Sequence, residues 1–183
     1  MNLEFFHLLE NLQKTFFLEC LRLEWLVFEN NLITDAERFM AIIAWEHVIV
    51  RKNRFVSANH RNTGGDGMII LGPGSALRPL YDVHIVDNLF DYTGSTLFNN
   101  AIFKLNAYTG LEYNGRTSHE NIVVGRNIYR TIDNQIRFLQ IPEDLAESAG
   151  LTSEHNLLYW ENGTDTMFAH NTPTPTYLDL YQW

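Results

Sequence analysis

Asp82 and His84 stand two apart in the run YDVHIV (81–86). Residues at that spacing on a strand share a face, so a carboxylate and an imidazole would project side by side. Such a pair can jointly hold a cation. His60 and His119 are the imidazoles whose arrival from other elements would complete a metal-assisted hydrolytic site. Established metalloenzyme spacings such as H-E-x-x-H are absent, so only the fold could bring these four residues together.

Anion binding is the second chemistry the residue types suggest. The stretch RKNRFVSANHRNTGGDG (51–67) holds Arg51, Lys52, Arg54, His60 and Arg61, and Arg116 and His119 follow downstream. Guanidinium donors beside the amides of a Gly-rich turn suit a small anion or an acidic partner surface. The plainer reading is an edge guarded by positive charge, because Arg51 and Lys52 would face opposite ways on a strand. Ser118 next to His119 offers a hydroxyl and a base, but neighbours on a strand diverge, which opposes a direct pair.

The elements that must position these residues are marked unevenly. Asn2 can cap a helix running to Asn30, free of Gly and Pro and apolar around more than one face, which predicts one long helix or two abutting ones. Thr34-Asp35-Ala36-Glu37 fits a capping box before a second amphipathic helix ending near Glu46. Beyond it the β-branched runs 47–50, 67–71, 81–86, 121–124 and 136–141 read as strands, while 88–113 fits a helix or a hairpin equally. Pro142 through Gly150 predicts a short helix, and Asn162-Gly163 between apolar arms predicts a hairpin before an extended tail. The expected class is α+β, in one domain: a helical part (1–47), a mostly antiparallel β-rich middle (48–141) and a C-terminal part (142–183).

Charge divides along the same lines. The formal net charge is -9. Residues 1–47 carry eight acids against three bases, 48–141 ten bases against seven acids, and 142–183 seven acids with no Lys or Arg. An acidic whole disfavours binding to nucleic acid or an anionic membrane. No apolar run reaches the roughly 20 residues that cross a bilayer, and with no leader pattern the expected location is cytoplasmic. The lone cysteine, Cys20, sits among leucines and reads as a buried thiol.

Between Asn127 and His170 the sequence resembles the swapped-hairpin half of AbrB-like regulators. The Arg137 strand, the Ile141-Pro142 step, Leu145 and Gly150-Leu151 carry the likeness. It implies a strand, a short helix and a strand in a DNA-binding regulator. The acidic character after Arg137 departs from the basic surface of that family.

The leading expectation is a non-catalytic binding protein. The wide apolar stripe of the first thirty residues would drive self-association into a homo-oligomer. Arg51, Arg54, His60, Arg61, Arg116 and His119 would take an anionic ligand or acidic partner. A metal-assisted hydrolase built on Asp82, His84, His60 and His119 is the enzyme alternative, and no cofactor is identified by any motif.

Overall fold

The computed structural model describes residues 24–34, 40–42, 45–56, 69–72, 78–92, 100–131, 136–141, 150–160, 168–170 and 176–178. The chain winds through three short strands per turn, five times over. The turns are β1 (Glu24–Glu29), β2 (Leu32–Thr34) and β3 (Met40–Ile42); β4 (Glu46–Arg51), β5 (Arg54–Val56) and β6 (Ile69–Leu71); β7 (Tyr81–Val86), β8 (Leu89–Tyr92) and β9 (Asn100–Leu105); β10 (Glu120–Gly125), β11 (Ile128–Thr131) and β12 (Ile136–Ile141); and β13 (Leu151–Glu154), β14 (Leu157–Trp160) and β15 (Phe168–His170). β16 (Thr176–Leu178) follows.

Equivalent strands of successive turns pair in parallel, giving three sheets ordered β1-β4-β7-β10-β13, β2-β5-β8-β11-β14 and β3-β6-β9-β12-β15. Among the described strands β16 alone runs antiparallel, against β15. The result is a parallel β-solenoid, in which each coil buries its apolar side only by stacking on its neighbours.

The strand sequences show why. Alternation sends Val48, Val83 and Ile122 inward in one register and Val50, Ile85 and Val124 in the next, all fully buried. In the second sheet Phe55, Phe90 and Tyr129 form the matching inward column. The Phe55 and Phe90 rings lie parallel with centroids 4.8 Å apart, the spacing of neighbouring strands. Phe90 then meets Phe103 of the third sheet edge to face, and Phe103 meets Phe138. Each such ring removed from water contributes about 2–3 kcal/mol, so the three sheets are held by one continuous core.

The corner between first and second sheets is two residues long in every coil. Its first residue is left-handed: Asn30, Lys52, Asp87, Arg126 and His155 have φ between 53 and 60°. Its second is always asparagine: Asn31, Asn53, Asn88, Asn127 and Asn156. Each asparagine up to Asn127 gives its backbone N–H and its side-chain N–H to the Oδ1 of the next, at 2.9–3.2 Å. Spare amide protons satisfy strand carbonyls such as Phe28, Ile85 and Val124. Left-handed backbone costs a non-glycine residue about 1–2 kcal/mol, and this ladder of buried amides offsets it.

This architecture overturns the expected α+β class. No helix occurs among the described residues, and the body is parallel, not mostly antiparallel. Of the long N-terminal helix, residues 24–29 form strand β1, and the preceding part lies outside the described residues. Over residues 24–29 the apolar side chains lie on both faces of a strand. Leu26 and Phe28 pack on the core, while Trp25 and Val27 are 76% and 54% exposed.

Of the second amphipathic helix, Thr34 ends β2 and residues 40–42 form β3, with Ile42 and Trp45 buried in the stacked core, and residues 35–39 and 43–44 lie outside the described residues. Residues 88–113 supply β8 and β9, which pair with neighbouring coils rather than with each other. The arms of the C-terminal hairpin belong to different sheets, β14 beside β11 and β15 beside β12. For the same reason β12 and β13 do not form the hairpin that the regulator resemblance implies. Residues 142–149, where the late helix was expected, lie outside the described residues. Among the described residues no helix is long and apolar enough to cross a membrane.

Candidate functional site on the first sheet

The first sheet carries a second column of left-handed residues, one step into each of its first four strands. Trp25, His47, Asp82 and Asn121 have φ of 68, 56, 56 and 54°. They fall between the paired positions Glu24, Glu46, Tyr81, Glu120 and Leu26, Val48, Val83, Ile122. A kink shared by adjacent strands re-aims a side chain, as bulges near functional sites do. Here it lines up an indole, an imidazole, a carboxylate and an amide along the solenoid axis.

Asp82 is the hub of that row. Its Oδ2 accepts from His47 Nδ1 at 2.7 Å, and its Oδ1 accepts from His84 Nε2 at 2.9 Å and from Asn121 Nδ2 at 2.6 Å. An ionised carboxylate only accepts, so both imidazoles turn an N–H toward it and keep the other ring nitrogen for something else. The Trp25 indole lies over the His47 ring at 4.2 Å and 13°. Tyr81 meets the same ring edge-on at 5.5 Å. The His47 imidazole is therefore fixed on three sides.

The hydrogen bond from His47 holds the Asp82 carboxyl below its ordinary value of 3.8; partial burial opposes this, and His84 adds to the lowering. A lowered native pKa gives stability that is present above pH 3.8 and lost as pH falls through the native value. Melting temperature followed from pH 6 to pH 3 should fall less steeply for Asp82→Asn than for the unmodified chain. Parallel curves would show that the carboxylate adds nothing. Because the group is about one-third exposed, the difference is a modest one.

Beside the row lies a charged layer. Arg116 donates to Glu46 at 2.9 Å and sits 4.1 Å over the Tyr81 ring. Arg78 lies 3.6 Å from both Glu24 and Glu46. Arg116 is delivered by a tight turn in which Asn114 and Gly115 both take positive φ and Tyr113 and Arg116 exchange backbone hydrogen bonds.

The structure gathers only part of the residues singled out from sequence. Asp82 and His84 are adjacent and outward-facing. His119 is inside the coil, where its Nδ1 accepts from Leu80 N–H at 2.8 Å and its Nε2 donates to the Asn106 carbonyl at 2.9 Å. It is a packing histidine by position. Arg51 is bonded to Glu29 at 2.6 Å on the first sheet, while Arg54 is exposed on the second, because the Lys52-Asn53 corner splits the basic run. His60 and Arg61 lie outside the described residues. Among the described residues no group of three or more His, Cys, Asp or Glu is arranged to hold a metal ion.

Sequence reasoning missed Trp25, His47, Tyr81 and Asn121. The equivalence of Trp25, His47 and Asn121 with Asp82 appears only once the coils are aligned on the corner asparagines. No family model, curated protein or solved structure matches the chain.

Proposed function

We propose that the chain is a binding module that takes a sugar chain of low charge along the outer face of the first sheet. The single observation that carries this reading is the Trp25 indole, 76% exposed yet oriented by stacking on His47, next to a row of polar groups. An apolar ring face flanked by hydrogen-bonding side chains matches the two surfaces of a pyranose ring, one lined with C–H and its edge with hydroxyls. The row repeats at the strand spacing of about 4.8 Å, which suits an extended polymer more than a compact ligand. Cations on this face are committed to Glu46 and Glu29, which disfavours polyanions.

The test is affinity electrophoresis of the full chain through gels containing neutral polysaccharides: xylan, glucomannan, galactomannan and starch. Retardation by at least one is expected. Trp25→Asn, chosen because asparagine tolerates the left-handed backbone, should abolish at least nine-tenths of it. Unchanged mobility in all four gels, or equal retardation of the variant, would refute the reading.

A further inference from the structure

We propose that His47, oriented by Asp82, is the general base of an ester hydrolase that removes acyl groups from hydroxyls of the bound sugar. The inference rests on the sugar-binding reading and assigns a reaction to the same face. A buried or sandwiched imidazole whose N–H is held by a carboxylate presents its second nitrogen as a base, the orienting logic of acyl-transfer enzymes. His47 has this arrangement: Nδ1 toward Asp82 at 2.7 Å, one ring face covered by Trp25, and the edge of Tyr81 beside it. The described neighbours of His47 are a carboxylate and two aromatic rings, and the nucleophile assigned to the dyad is water.

The chemistry balances without a cofactor. His47 Nε2 takes a proton from water as the water oxygen bonds to the acyl carbon and the carbonyl electron pair moves onto its oxygen. Collapse of that intermediate breaks the bond between acyl carbon and sugar oxygen, and the imidazolium returns its proton to the departing alkoxide. One ester and one water yield a carboxylic acid and a free hydroxyl.

Asn121, which uses one amide hydrogen on Asp82 at 2.6 Å, would offer its second to the developing oxyanion. His84 acts through Asp82, as a positioning residue. Glycosidic cleavage fits less well. It calls for two carboxyl groups flanking the bond, whereas Glu46, on the strand next to Asp82, is engaged by Arg116.

The experiment measures acetate released by the full chain from acetylated xylan and acetylated glucomannan between pH 5 and 8. Release is expected, with a rate that rises with pH as general-base catalysis requires. His47→Asn, which suits the left-handed position, should lower the rate about 100-fold or more, the usual contribution of a general base. Added imidazole should restore part of that loss, which a merely structural defect would not allow. His84→Gln should lower the rate less and shift the pH profile. Equal rates for the unmodified chain and His47→Asn would overturn the proposal. So would the absence of release from either polymer when that polymer retards the chain in gels, an outcome that leaves sugar binding intact.

Discussion

Replacing Asn88 with leucine is expected to lower the unfolding free energy by about 3–5 kcal/mol, since each buried polar group left unpaired costs about 1–3 kcal/mol. Asn88 is 2% exposed at the centre of the corner ladder. Its Oδ1 accepts from both the backbone and side-chain N–H of Asn53, and its amide donates to the carbonyls of Val50 and Val86 and to Asn127 Oδ1.

Leucine has similar bulk and none of these functions. The Asn53 N–H would lose its acceptor in a buried corner, and two strand carbonyls would each lose a donor. The loss is a large share of the roughly 5–15 kcal/mol that holds a domain folded. Asn31, at the half-buried end of the ladder, should lose only about 1 kcal/mol on change to alanine, because water can reach its partners. Urea midpoints of the two variants measure the contrast, and equal shifts would mean that the ladder is not cooperative.

That ladder also explains how much of the fold was legible. The inward columns are plain in the sequence: YDVHIV and IRFLQI coincide with β7 and β12, and HVIV and NIVV fall within β4 and β10. Strand direction was not legible. Alternation reads the same for a strand that pairs with its neighbour in a hairpin and for one that stacks a whole coil away.

The corner asparagines mark the coils, but they stand at 31, 53, 88, 127 and 156, because the connections after the second and third sheets differ in length. A search for a fixed period passes over them. The helix signals at Thr34 and across 24–29 were locally sound, and coil stacking overrode them. The site was half legible for the same reason. Asp82 and His84 share one strand, so their spacing alone predicts adjacency. His47 and Asn121 reach Asp82 only through the register of β4 and β10 with β7.

Inside the coil, the largest steric effect is expected at Gly72. This residue follows β6 with φ of 56°, donates its N–H to the Ile42 carbonyl and is buried against the His119 ring. A β-carbon added there would overlap that ring. The imidazole cannot swing aside without breaking its bonds to Leu80 N–H and the Asn106 carbonyl, which tie the preceding connection to the next coil. Gly72→Ala should therefore cost about 2–5 kcal/mol, combining left-handed strain of about 1–2 kcal/mol with overpacking of about 1–3 kcal/mol.

The two contributions separate in a double-mutant cycle. His119→Ala alone orphans a buried N–H and a carbonyl, yet it opens space for the new methyl group. The Gly72→Ala, His119→Ala double variant should then be about 1–3 kcal/mol more stable than the sum of the single losses predicts. Urea unfolding of the four proteins decides the matter. Strict additivity would place the whole cost of Gly72→Ala in backbone strain and leave His119 without the wedging role that its position inside the coil assigns.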